Sequence, residues 1–235
     1  MAPAIAQKAS PGQFVMLYLP PNRQQQLPRP LSIFKVDRKR GELTLFFQVK
    51  GEGTGILADL ETGSTVKLLG PLGTGFPAPP ENSLLVAGGM GIAPLVYLAA
   101  AASKPCTMVY AACTAAQLVC PATDLEIQGV TLLETTEDGS RGEKGTAIDL
   151  LSRLLNADPD RYRAIFSCGP RPMLKAVAEL GCLTGLPTWI SLEERMACGI
   201  GACLGCAVAT TGGYRRVCHD GPVFSAEVVI FSDQA

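Results

Sequence analysis

The chain has 235 residues, 47% of them hydrophobic and 17% charged, enough apolar mass for two domains and a small appendage. A formal net charge of -1 argues against a nucleic-acid surface. The nine cysteines follow a start, MAPAIAQKAS, with no apolar core of signal-peptide length, so a reducing, cytoplasmic setting is expected.

Residues 1–80 read as β structure. Gln13 to Leu19, Leu31 to Val36, Leu43 to Val49 and Thr65 to Leu69 are short β-branched or apolar runs. Pro11-Gly12, Pro20-Pro21-Asn22, Arg40-Gly41 and Gly70-Pro71 bound them as turns. Strands this short and this regularly punctuated predict a small antiparallel barrel. Gly53-Thr54-Gly55 is expected to open a helical piece from Ile56 to Leu60 that Gly63 stops. Two features suit an anion. Arg29 offers a planar fork with two donors, and Ser32 a hydroxyl, on one extended segment. Gly53-Thr54 would expose backbone N–H groups. Taken alone, each also fits a solvated strand residue or a plain turn.

Residues 81–192 alternate strands and helices. Leu84 to Ala87, Cys106 to Ala111, Val130 to Thr135, Ala164 to Cys168 and Thr188 to Leu192 read as buried strands. Ile92 to Ala102, a piece near Ala115 to Val119, Ala147 to Asn156 and Pro172 to Leu180 read as helices. That alternation predicts a doubly wound parallel sheet. Ser83 to Ser103 is 21 residues without a charge, long enough to span a membrane. Gly88, Gly89, Gly91 and Pro94 interrupt it, so strand, turn and helix explain it better, and no membrane contact is expected. The turn Gly88-Gly89-Met90-Gly91-Ile92-Ala93-Pro94 would let a pyrophosphate approach the backbone, although it is not a full G-x-G-x-x-G. Cys168-Gly169-Pro170-Arg171-Pro172-Met173 repeats the device at the fourth strand end. Both turns lie at the carboxyl edge of the sheet, where such folds bind ligands. No base stands near Cys168 in sequence. Its small size, allowing close approach, is the expected role.

Residues 193–235 carry Cys198, Cys203, Cys206 and Cys218, spaced C-x4-C-x2-C-x11-C. Four thiolates hold either a structural zinc or an iron–sulfur cluster. The opening spacing is that of plant-type 2Fe–2S proteins. A zinc ribbon more often has two C-x2-C hooks, and one is present here. Gly199, Gly201 and Gly205 would let the loop wrap a cluster and aim N–H groups at its sulfurs. The sole histidine, His219, cannot build a Rieske centre and reads as a polar loop residue.

The order of these motifs resembles the ferredoxin–NADP reductase superfamily with an added 2Fe–2S domain. More narrowly, it resembles the electron-transfer subunits of type B dihydroorotate dehydrogenase. PGQFVML at 11–17, RPLSI at 29–33, GEGTGIL at 51–57, GPLGTGF at 70–76, EDGSRGEKGTAIDLL at 137–151, the cysteine motif and CHDGPVF at 218–224 carry the resemblance. It implies a FAD-binding barrel over 1–80, an NAD-binding α/β domain over 81–192 and a cluster domain over 193–235. It places FAD against Arg29, Pro30, Leu31, Ser32, Phe46, Phe47, Gln48, Gly53 and Thr54. It places NAD against Gly88, Gly89, Gly91, Ala93, Pro94, Cys168, Gly169, Pro170 and Met173, with the four cysteines as cluster ligands and no catalytic acid or base. The implied partner is an FMN-containing catalytic subunit, in a heterotetramer of two of each. Dihydroorotate oxidised there would deliver electrons through the cluster and FAD to NAD, in pyrimidine (UMP) biosynthesis.

Three departures stand out. The chain begins just before PGQF, so the barrel is expected to lack a piece. Relatives usually have Tyr-Arg where Phe47-Gln48 stands, so one phosphate-pairing charge is missing. The segment AACTAAQL lacks an Arg for a 2′-phosphate, which favours NAD over NADP. The same cofactors would also serve a sulfite-reducing, hydrogenase or ferredoxin-linked complex. A zinc-ribbon adaptor on a nucleotide-binding scaffold is the non-enzymatic alternative.

Overall fold

The computed structural model describes residues 1–19 and 27–231. The predicted turn at Pro20-Pro21-Asn22 lies outside the described residues. After a short helix, α1 (Pro3–Ala6), come β1 (Phe14–Tyr18), β2 (Arg29–Asp37), β3 (Glu42–Leu45), α2 (Glu52–Ala58) and β4 (Lys67–Leu72). The strands form one antiparallel sheet in the order β3-β2-β1-β4, with β3 and β4 at its edges. β3 is shorter than its apolar run predicts. Pairing stops at Leu45, and Phe46 to Gln48 leave the ladder to face a cavity. α2 takes in Gly53 and Gly55 rather than following them, and it ends at Ala58, ahead of Gly63.

A seven-stranded sheet follows, in the order β13-β10-β9-β5-β6-β7-β8. Its strands are β5 (Ser83–Gly88), β6 (Cys106–Ala112), β7 (Val130–Thr136), β8 (Glu143–Lys144), β9 (Ala164–Cys168), β10 (Thr188–Ser191) and β13 (Val223–Ser225). Its helices are α3 (Ile92–Ala101), α4 (Ala122–Leu125), α5 (Ala147–Ala157) and α6 (Arg171–Thr184). A separate hairpin, β11 (Ala207–Thr210) with β12 (Gly213–Arg216), carries the cysteine segment. The sheet is mixed, which corrects the expected all-parallel one. β13 joins β10 antiparallel, with Ile190 opposite Phe224, so the segment after the last cysteine becomes an edge strand of this sheet. Three residues are too few to read as a strand from sequence.

Both faces of the central strands are covered, which is why every residue of β5 is buried. Leu85, Met108, Tyr110 and Phe166 pack under α3 on one face. Leu84, Val86, Val109 and Ile165 pack under α5 and α6 on the other. α3 is buried along Ile92–Ala99 because it lies between the two sheets, and Tyr97 donates to the Ala9 carbonyl at 3.0 Å. A helix apolar all round is thereby satisfied inside the protein. Among the described residues no helix is long and apolar enough to cross a membrane. Thr146 caps α5. Its hydroxyl accepts from Asp149 N–H at 3.1 Å, and Asp149 accepts from Thr146 N–H at 2.8 Å, a reciprocal box at the helix start.

Candidate functional site

The chain runs from β5 to β8 on one side of β5, then returns to place β9 and β10 on the other. The reversal lies between β5 and β9, where open α/β sheets bind ligands at the strands' carboxyl ends. The two glycine turns meet there. A Cβ on Gly88 would stand 2.8 Å from Met173 Sδ, and one on Gly169 would stand 2.6 Å from Met173 Cε. A Cβ on Gly91 would strike the Cys168 carbonyl. These glycines therefore let one turn pack on the other. Gly89, at φ +51, faces open space instead.

A cavity of about 860 Å³ opens over this edge, lined by Gly88, Gly89, Gly91, Gly169, Pro170 and Met173, among others. A second, of about 240 Å³, is lined by Pro30, Leu31, Ser32, Phe46, Phe47, Gln48, Thr54 and Ala93. Gln48, Lys50, Met90, Leu192, Glu193 and Glu194 line both, so the two are neighbours with a common wall. Sequence reasoning missed Lys50 and the two glutamates. Lys50 stands two residues past Gln48 in an extended segment, which is a weak signal; nothing local marks Glu193. Cavity walls crowd the Glu193 carboxyl and push its pKa up, while Lys50 pulls it down. Its side chain keeps an open face, so the burial effect is partial.

Four of the residues predicted to hold FAD or NAD line neither cavity. Arg29 is one, with its guanidinium flat against Gly53, where any side chain would collide with it. The RPLS and GTG motifs, 24 positions apart, thus meet in space at Arg29 and Gly53, the second such residue. Arg29 Nη1 also donates to the Leu27 carbonyl at 2.7 Å. Thr54 spends its hydroxyl on the turn, accepting from the N–H groups of Lys50 and Gly51 at 2.9 and 3.1 Å. Pro94 is buried in α3. Cys168 is buried in the core, and burial pushes its thiol pKa far up, which removes any nucleophile.

The four cysteines of the motif fall into two pairs. Cys203 N–H donates to Cys198 Sγ at 3.4 Å, and Cys218 N–H to Cys206 Sγ at 3.4 Å. Gly201 N–H donates to Cys218 Sγ at 3.1 Å. Amide donors aimed at sulfur stabilise thiolate. The N–H groups of Cys203 and Ile200 bring Cys198 down to about 6, while burial pushes Cys218 up to about 12. Arg216 grips the loop from behind. Its Nη1 donates to the Gly201 carbonyl at 3.2 Å, and its Nε and Nη2 donate to the Asp220 carboxylate at 3.0 and 3.1 Å. Those contacts hold Asp220 well below the usual carboxylate range. Among the described residues, no three His, Cys, Asp or Glu side chains converge closely enough for a single metal ion. Four thiols in two pairs, with amides aimed at them, fit a cluster better than one zinc.

Residues 193–230 match the iron–sulfur cluster binding domain of dihydroorotate dehydrogenase B, and residues 4–76 match the oxidoreductase FAD-binding domain. The electron transfer subunit of dihydroorotate dehydrogenase B (NAD(+)) from Geobacillus kaustophilus is 39% identical over 237 aligned residues, covering 96% of this chain and 89% of that one. The chain belongs to this family. The Desulforamulus reducens member is 38% identical, covering 98% of this chain and 90% of its own. A solved structure of an NADH-dependent reduced ferredoxin–NADP oxidoreductase, described for flavin-based electron bifurcation, superposes with a TM-score of 0.86 at 31% identity. It covers 97% of this chain and 82% of that one. The FAD-binding match holds the part of the small cavity's wall from Pro30 to Thr54, and the iron–sulfur match holds all four motif cysteines.

Proposed function

We propose that this chain is the electron-transfer subunit of an NAD-dependent dihydroorotate dehydrogenase, acting in pyrimidine (UMP) biosynthesis. On this reading an FMN-containing catalytic subunit oxidises dihydroorotate, and the two subunits form a cytoplasmic heterotetramer of two of each. Residues 1–80 form a FAD-binding barrel, residues 81–192 the NAD domain, and residues 193–235 the 2Fe–2S domain.

The observation that carries this reading is the wall shared by the two cavities. A bound flavin exchanges hydride with a nicotinamide and single electrons with a cluster, so it belongs between them. Pro30, Leu31, Ser32 and Phe46 to Gln48 line the ring and ribityl chain. Arg29, Gly53 and Thr54 hold the pyrophosphate turn, and Lys50 offers a cation two residues from the neutral Gln48. Gly88, Gly89, Gly91, Ala93 and Pro94, with Cys168, Gly169, Pro170 and Met173, shape the dinucleotide crevice. Cys168 acts sterically, from the core. Cys198, Cys203, Cys206 and Cys218 would hold the cluster as its thiolate ligands.

The test uses the purified chain with flavin and iron loaded. It should pass electrons from NADH to an artificial acceptor, and form orotate from dihydroorotate and NAD only when the FMN-bearing partner is added. Removal of the C5 proton of dihydroorotate needs a positioned base, and the chemistry assigned to this chain includes none. Orotate formed by the chain alone would overturn the subunit assignment. The 31% identity to a ferredoxin-linked enzyme supports a second reading, the same cofactors in another complex. Copurification of the natural partner separates the two.

A further inference from the structure

The larger cavity runs over the carboxyl ends of β9, β5, β6 and β7. Its two basic lining residues, Lys50 and Arg171, stand near Glu193 and Glu194: both cavities share Lys50, and Arg171 bonds Glu194 at 3.1 Å. The far end is lined by Ala112, Cys113, Gln117, Glu137 and Thr146, and Glu137 is the one charged side chain there. Dinucleotide folds commonly set an acid at the end of the second strand, about 20 residues past the glycine turn, for the ribose hydroxyls. Here the second strand, β6, ends in Ala112-Cys113-Thr114 with no acid.

Glu137 comes into that place from the next strand. Its N–H donates to the Ala112 carbonyl at 3.2 Å, and the Cys113 thiol donates to its Oε1 at 3.4 Å. Cys113 is the one described donor to that carboxylate, so Oε2 is open to a ligand. The adjacent Asp138 is already engaged, accepting from Ser140 N–H at 2.9 Å and Ser140 Oγ at 2.6 Å.

We propose that Glu137 selects NADH over NADPH, accepting the adenosine ribose hydroxyls and repelling a phosphate on the 2′-hydroxyl. This rests on the reading of the larger cavity as the nicotinamide dinucleotide site. A carboxylate accepts two hydroxyl protons from a vicinal diol. A phosphate in place of one of them would bring like charge against it, with no Lys or Arg lining that end to offset it.

The test compares the flavin- and iron-loaded chain with its Glu137→Gln and Glu137→Ala variants. NADH and NADPH are the donors to an artificial acceptor. AMP, with and without a 2′-phosphate, is the competitor, which reads binding at this end separately from electron transfer. Glu137→Ala should raise KM for NADH roughly tenfold, the loss expected for a hydrogen bond to a charged group, with kcat, flavin and iron unchanged. Glu137→Gln should bring inhibition by 2′-phosphorylated AMP up to that by plain AMP. A ratio of NADH to NADPH efficiency within about twofold of the unmodified chain's in both variants would overturn the role of Glu137. An unmodified chain that AMP does not inhibit and that oxidises neither nucleotide would overturn the dinucleotide site itself.

Discussion

Gly199, in the cysteine loop, lies directly against the Met16 side chain on β1. A Cβ built on Gly199 would also stand 3.2 Å from Leu72 Cδ1 of β4. The loop therefore rests on the antiparallel sheet. Its buried cysteines, Cys206 and Cys218, share one apolar cluster with Phe14, Met16, Ile190 and Phe224. Cysteine segment, four-stranded sheet and seven-stranded sheet are packed together through that core.

A side chain at position 199 should break this contact. Gly199 has φ +74, and a Cβ would stand 3.1 Å from Met16 Sδ, with Met16 Cγ nearer still. Left-handed backbone costs a non-glycine residue about 1–2 kcal/mol, and overpacking costs about 1–3 kcal/mol more. Gly199→Val should lower the melting temperature and the iron-to-flavin ratio together. Calorimetry and iron assay check both, and an unchanged ratio would detach the loop from the sheet.

Cys203→Ser should remove the cluster and spare most of the flavin. Cys203 is exposed, whereas Cys206 and Cys218 are buried in the shared core. The same change at Cys218 should therefore lose iron and stability at once. Iron, acid-labile sulfide and flavin measured on both variants make the comparison. A full iron complement in Cys203→Ser would exclude Cys203 as a ligand.

Arg29→Ala should weaken FAD binding roughly tenfold or more, the loss expected for a charge-assisted contact of about 1.5–3 kcal/mol. Fluorescence titration of the stripped protein reads it. Gly53→Ala should mimic part of the effect, since a Cβ there displaces the guanidinium. Unchanged affinity in both variants would leave Arg29 a purely structural role.

Asp149→Asn should destabilise α5 near neutral pH but not in acid. The N–H and hydroxyl of Thr146 hold the carboxyl below its ordinary 3.8. A lowered folded pKa contributes stability above the ordinary value and loses it as the pH falls through the folded one. The gap between variant and unmodified chain in denaturant titrations should thus be constant near neutrality and close below 3.8. A gap that does not vary with pH would mean that charge plays no part in the cap. Thr146 lines the larger cavity, the proposed dinucleotide site, so KM for NADH should rise with the loss of the cap.

Spacing along the chain carried whatever depends on neighbours a few positions apart. Glycine turns after apolar strands, four cysteines at ligand intervals and the change from short strands to alternating strands and helices are all local, and most strands of both sheets and the cysteine loop follow from them. Contacts between distant positions had no such signal. Gly88 and Gly91 read as phosphate-approach glycines, yet their missing side chains also let one turn pack on the other. Val223–Ser225 is too short to declare itself, and only pairing with β10 makes it a strand. Lys50 and Glu193 acquire meaning only where two cavities meet. Glu137, the proposed ribose acid, is invisible in the sequence because it follows the wrong strand for the familiar spacing. The order of strands in the sheet, rather than the order of residues, brings it beside Cys113.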